Sequence, residues 1–210
     1  MRKYLLIPAV IAGLLSSHAI AAFSNPEPAV AKPCADLVIG VDGTGSVGDP
    51  NSIVKMRAGR GAWIIRYPGS IFPIGPYTYD TSVRMGIDET KRVIREYRAL
   101  NPCATVHLIG HSQGSRVAGD AIAELYAEGM DTSFITAELL SDPRDPNGGV
   151  ELAFTWLKVQ GYTMNGPRGS LGGADVTYRC VPGDPICDWP RSVLGLAGVV
   201  PNFVKLHGRY

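Results

Sequence analysis

Apolar residues along this chain follow two alternating rhythms. Short runs rich in β-branched residues occupy Asp36–Val41 (DLVIGV), Ala62–Tyr67 (AWIIRY), Thr105–Gly110 (TVHLIG), Ser133–Leu140 (SFITAELL) and Asp175–Cys180 (DVTYRC), with Gly, Pro or Asp turns closing them. Between them, Thr81–Leu100 carries Val83, Ile87, Val93, Ile94, Tyr97 and Leu100 at helical spacing with charges in between, and Asn101-Pro102 stops it. Gly114–Glu128 gathers Val117, Ala118, Ala121, Ile122 and Leu125 on one face and stops at Gly129. Strands alternating with helices predict βαβ units. The expected fold is therefore a three-layer α/β/α domain with a central parallel sheet of about five strands and helices on both faces. No insertion long enough for a large lid interrupts the pattern.

The amino-terminal pattern is different. Arg2 and Lys3 precede the apolar run Tyr4–Leu15, and Ala19-Ile20-Ala21 follows as a small-x-small cleavage site. That arrangement predicts a secretory signal peptide over residues 1–22, too short in its apolar part to serve as a comfortable membrane span. Residues 23–33, rich in Pro and Ala, read as a leader segment, and residues 34–210 as one domain. No later stretch is apolar and long enough to span a membrane.

Composition narrows the function. The chain has 210 residues, 20 Lys and Arg against 19 Asp and Glu, so it lacks the basic stripe that nucleic-acid binding needs. Loss of the signal peptide removes two positive charges and leaves the mature domain close to neutral. No Cys and His spacing matches a zinc site. All four cysteines lie in the mature part, and an even count in an oxidising compartment predicts two disulfides. Three pairings are possible. Cys180 and Cys187 flank a Pro/Gly/Asp turn and close a local bridge easily, which leaves Cys34 with Cys103, each just ahead of a strand.

The chemistry concentrates at Gly110-His111-Ser112-Gln113-Gly114. A G-x-S-x-G stretch directly after a strand and directly before a helix is the setting of a nucleophile elbow, which lifts the serine hydroxyl above the sheet edge. It also leaves the Gln113 backbone N–H at a helix N-terminus, aimed where an oxyanion would form. A serine nucleophile needs a base. His18 falls in the signal peptide, His111 adjoins Ser112 and should point away from it, and His107 is interior to the same strand. His207 remains. Chain order in such folds is Ser, acid, His, so the acid lies between Ser112 and His207. Asp184, inside the Cys180–Cys187 loop, is the first choice and Asp142 the runner-up, while Asp175 and Asp188 read as turn residues.

These residues carry a resemblance. Cys34-Ala35-Asp36 stands before a strand ending in Gly43-Thr44. Cys103 stands shortly before the strand that leads to Gly110–Gly114. Gly183-Asp184-Pro185-Ile186-Cys187 and His207-x-x-Tyr210 then follow in order. Over Cys34–Tyr210 the chain resembles the cutinase family of secreted serine esterases. The resemblance implies a Ser112, Asp184, His207 triad, both disulfides as paired above, and a second oxyanion donor at Thr44. The chain departs from that family after the first strand, where Asp42-Gly43-Thr44-Gly45-Ser46 replaces the usual Arg-Gly-[Ser/Thr]-x-Glu. The stretches Leu140–Gly149, Tyr67–Ser70 and Tyr79–Val83 are more similar to the related PE-PPE serine-hydrolase domain.

The expected function is hydrolysis of a carboxylic ester (lipid, polyester or small acyl ester) by a secreted monomer, without metal or organic cofactor and without a nucleic-acid partner. Two apolar stretches, Ile71–Ile74 and Leu194–Phe203, are expected to form an acyl-binding lip that makes interfacial lipid contact. Acyl transfer or thioester cleavage on cell-envelope lipids uses the same triad. A non-catalytic lipid-binding module would keep the fold without the chemistry.

Overall fold

The computed structural model describes residues 34–210, so the expected signal peptide and leader lie outside the described residues. Strand β1 (Leu37–Val41) leads through helix α1 (Ile53–Ala58) to β2 (Trp63–Ile64), and the long helix α2 (Tyr79–Leu100) leads to β3 (Val106–His111). Helix α3 (Gln113–Ala127), β4 (Ile135–Leu140) and α4 (Val150–Ala153) follow, then the strands β5 (Lys158–Val159) and β6 (Tyr162–Thr163). The chain closes with β7 (Asp175–Arg179), α5 (Val193–Leu196) and α6 (Val199–Leu206).

Five strands form one parallel sheet in the order β2-β1-β3-β4-β7, as the sequence rhythm predicts. β5 and β6 pair separately as an antiparallel hairpin. The period of two along each strand decides what each face packs. Leu37, Ile39, Val41, Val106, Leu108, Ile135, Ala137 and Leu139 point to the face covered by α2 and α3 and form the main core. On the other face Ile109 and Leu140 pack with Val54 of α1, with Val38, Ile64 and Tyr210 against them. Arg84 and Lys91 of α2 both pair with Glu124 of α3, joining the two helices at their solvent edge.

The chain leaves β1 toward β2 on one side and returns to β3 on the other, so the winding direction reverses between β1 and β3. Ligands of open α/β sheets bind at the carboxyl ends of the strands at such a switch point. The loop after β1 and the turn after β3 meet there.

Several elements correct the sequence expectation. The second strand, expected over Ala62–Tyr67, is regular only at Trp63–Ile64. It is an edge strand that pairs with β1 alone, and past it the Tyr67 hydroxyl donates to the Asp42 carbonyl. Helix α2 begins at Tyr79 rather than Thr81, because Thr78 caps it by accepting from the Thr81 N–H at 3.4 Å. The apolar stretch Leu194–Phe203 is helical for most of its length. Helix α1, the β5–β6 hairpin and α4 had no counterpart in the sequence reading.

Two disulfides brace the sheet. Cys34–Cys103 joins the entries of β1 and β3, and Cys180–Cys187 closes a short loop after β7, each with Cα atoms 5.7 Å apart.

Candidate active site

Ser112 sits between the last residue of β3 and the first of α3 at φ 55° and ψ −124°, a region that side chains avoid. The turn is possible because both flanking glycines permit close backbone contact. A Cβ at Gly114 would stand 2.0 Å from the Val41 carbonyl oxygen, and one at Gly110 would stand 2.6 Å from the Ser115 Cα. The Gln113 side chain anchors the elbow from behind. Its Nε2 donates to the Ser70 carbonyl at 2.9 Å, and the Ser82 hydroxyl donates to its Oε1 at 3.2 Å.

The C-terminal turn brings His207 to the same place. Ser112, Thr44, Gln113 and His207 line one cavity of about 410 Å³, whose walls are largely Ile71, Ile74, Val150, Met164, Ile186 and Phe203. His207 Nδ1 lies 3.1 Å from Oδ2 and 3.2 Å from Oδ1 of Asp184, and its ring stacks on Phe203 with centroids 4.6 Å apart. Asp184 is fully buried. The Ile186 N–H, the Ser141 hydroxyl at 2.6 Å and the Tyr210 hydroxyl at 2.6 Å donate to its carboxylate. Burial alone would raise its pKa, but the hydrogen bonds from His207, Ser141 and Tyr210 outweigh burial and hold it down at about 2. The carboxylate is therefore ionised at any working pH and oriented from several sides. No hydrogen bond joins the Ser112 hydroxyl to the His207 ring in this state, although the two share the cavity wall.

The oxyanion expectation falls on Thr44 and Gln113. Both face the cavity, and neither backbone N–H donates to a backbone carbonyl among the described residues. Gln113 is the first residue of α3, where intrahelical partners are lacking by construction. Two free N–H groups beside a serine can receive developing negative charge. Asp42, at the start of the Thr44 loop, is fully buried, and neither of its carboxylate oxygens has a hydrogen-bond partner. Burial pushes its carboxyl pKa up.

The other candidates have different partners. Asp142, the runner-up acid, accepts from the Arg168 guanidinium at 2.8 Å and from the Arg144 N–H at 3.0 Å. It belongs to a buried charge cluster in which Asp120 also takes Arg144 and Arg168, each at 2.7 Å. That cluster fixes the loop after β4 and leaves Asp142 without contact to His207. Asp188 accepts from the Gly183 N–H at 2.8 Å, a turn role as expected. His107 contacts the Thr136 hydroxyl at 2.7 Å on the sheet.

Three contributors to the site were not assigned in the sequence reading. Ser141 and Tyr210 hold Asp184. His111 reaches the C-terminal turn, where its Nε2 donates to the His207 carbonyl at 2.9 Å. Strand alternation was the available signal for His111, since it faces the side of Ile109, where Tyr210 packs. A second, larger cleft of about 940 Å³ runs along the β2 edge beside Trp63 and Arg66 and contains none of these residues. Among the described residues, no group of three or more His, Cys, Asp or Glu could hold a metal ion. No helix among them is long and apolar enough to cross a membrane.

Comparison with known proteins matches the sequence to a family and the structure to a fold. The model of the family described as the PE-PPE domain matches residues 58–182. Among solved structures, a cutinase-like protein from Cryptococcus sp. superimposes with a TM-score of 0.51 at 18% identity, covering 78% of this chain and 86% of that one. The catalytic core domain of acetyl xylan esterase from Trichoderma reesei gives 0.48 at 16% identity, covering 82% and 96%. The likeness to the Cryptococcus protein is one of fold, an α/β-hydrolase-like sheet with its helices. No curated protein matches the chain.

Proposed function

The chain belongs to the PE-PPE domain family, and we propose that it is a serine hydrolase that cleaves carboxylic esters through an acyl-enzyme on Ser112. The observation that carries this reading is the convergence of a strained strand-to-helix serine and an Asp184-bound His207 on one apolar cavity. In the proposed reaction His207 Nε2 takes the Ser112 proton as Oγ attacks the ester carbonyl. The Gln113 and Thr44 N–H groups stabilise the oxyanion. Asp184 keeps the imidazole in the tautomer with its proton on Nδ1 and stabilises the imidazolium that forms. His207 then protonates the departing alcohol, and a water activated by the same imidazole releases the acid.

The cavity walls favour an acyl chain over a sugar or a peptide, since they present few polar groups to the substrate. Phe72, between the cavity residues Ile71 and Ile74 in sequence, is 62% exposed, and Val200, about one helical turn before the cavity residue Phe203, is 73% exposed, apolar positions suited to a lipid or polyester surface. Two disulfides accord with an oxidising compartment. With the amino-terminal pattern of residues 1–22, they support export, which we include in the proposal.

The test is direct. Ser112→Ala should fold normally and lose ester hydrolysis by roughly three orders of magnitude or more, measured with p-nitrophenyl esters of increasing chain length. A fluorophosphonate should label Ser112 alone. Near-normal turnover in folded Ser112→Ala protein would sink the assignment. Preferential transfer of the acyl group to an added alcohol would move it to an acyltransferase.

A further inference from the structure

We propose that Ser141 is a positioning residue of the catalytic site, its hydroxyl forming a hydrogen-bonded bridge between the acid Asp184 and the base His207. This inference rests on the hydrolase reading above and deepens it. Ser141 follows β4, is fully buried, and takes a left-handed backbone at φ 50°; besides Ser112 it is the only non-glycine among the described residues with positive φ. Its Oγ stands 2.6 Å from Asp184 Oδ2 and 2.9 Å from His207 Nδ1. The second distance is shorter than either contact between Nδ1 and the carboxylate, at 3.1 and 3.2 Å.

The proton positions follow from chemistry. An ionised carboxylate can only accept, so the single Ser141 hydroxyl proton goes to Asp184. The Ser141 lone pairs then face Nδ1, which must carry the ring proton to meet them. That leaves Nε2 as the acceptor on the Ser112 side. The Tyr210 hydroxyl supports the same carboxylate oxygen, donating to Oδ2 at 2.6 Å while accepting from the Val181 N–H at 3.0 Å. The base is thus oriented by a hydroxyl and a carboxylate together. Because the carboxylate charge is shared with two hydroxyl donors, Asp184 is held in place independently of the protonation state of His207.

The backbone strain sharpens the assignment. A left-handed position after a strand that served only as a turn would suit glycine better than serine, because serine there carries steric cost. Serine is explained if its hydroxyl is used. Ser141→Gly relieves the strain and removes the hydroxyl, whereas Ser141→Ala keeps the strain and removes the hydroxyl. The two variants therefore separate a turn role from a bridging role.

Both variants are made in the full chain and assayed with p-nitrophenyl butyrate, with rates normalised to the serine titrated by fluorophosphonate. We expect kcat to fall roughly 10- to 100-fold in both, the loss of one hydrogen bond to a charged group. KM should stay within about twofold of the parent, because Ser141 does not line the cavity. The His207 Nδ1 proton resonance should move downfield in both, as the carboxylate alone then accepts it. Parental kcat in Ser141→Gly, or an unmoved resonance, would overturn the bridge. If Ser141→Ala does not fold, the strain-relieved glycine variant alone decides. A parent that neither hydrolyses ester nor labels at Ser112 defeats the hydrolase reading, whereas the resonance, which needs no turnover, still reads the bridge.

Discussion

At the scale of single residues, Ser112 and Ser141 take left-handed backbone angles at the ends of neighbouring strands, and His111 lies next to one of them. Such angles cost roughly 1–3 kcal/mol each and persist only where the surroundings hold them. Around Ser112 the hold comes from the sheet, the Gln113 anchor and the helix that follows. His111 adds a pH-dependent element. Burial, with a smaller contribution from the His207 charge, lowers its pKa to about 4. In the unfolded chain an imidazole titrates near 6.5. A histidine held neutral by folding gives stability that is complete above the unfolded value and is lost as pH falls from about 6.5 toward 4. The full loss is about 3 kcal/mol. Asp184 behaves separately. Its depressed pKa gives stability present above about 4 that is lost only as pH falls toward 2. Urea unfolding of the parent and of His111→Gln between pH 7 and pH 4.5 reads the first window alone. The parent should lose more stability than the variant over that range, and parallel curves for the two proteins would refute the assignment to His111.

At the scale of elements, legibility in the sequence followed length and alternation. Strands β1, β3 and β4 and the two long helices were legible because each buries residues against the core, whereas β2 and β7, none of whose residues is fully buried, showed only as short β-rich runs closed by turns. Helix α1 was not, because six residues held by the Ser52 cap are too few for a period to appear. The β5–β6 hairpin has two residues per strand and almost no pattern at all. Helix α6 contains Pro201, which reads as a breaker, yet it occupies the first turn, where the missing N–H has no intrahelical partner to lose. The triad candidates were legible because elbow, acid loop and terminal histidine each carry local sequence marks. Ser141 and Tyr210 were not assigned roles, because what they do depends on contacts across β4, β7 and the C-terminal turn rather than on neighbours in the chain. The Cys180–Cys187 loop is an element with a testable duty. It encloses Asp184, so a double Cys→Ser change there should lower turnover per titrated serine while reducing stability by about 2.5 kcal/mol or less on loop-entropy grounds. Unchanged turnover per site would show that the hydrogen bonds to Asp184 suffice without the clamp.

At the scale of the whole molecule, the long disulfide makes the complementary case. Cys34–Cys103 spans 69 residues and ties β1 to β3 at the end of the sheet remote from Ser112. Its removal should cost roughly 4 kcal/mol of stability. Molecules that remain folded should turn over at the parental rate, in contrast to the short-loop variant. The charge cluster of Asp120, Arg144, Arg168 and Asp142 lies between these extremes, linking α3 to the loop that carries Ser141. The molecule is therefore unevenly braced: the serine is rooted in the core through β3 and α3, and the histidine follows a short helix, α6, that buries none of its residues. Warming should consequently silence the protein in two steps. Local fraying of α6, visible as rapid amide exchange there but not in α3, would withdraw the base while the sheet stays intact. Turnover would then decline, and recover on cooling, at temperatures several degrees below the calorimetric transition. Coincident loss of activity and of α3 protection would show instead that the last helix melts only with the rest.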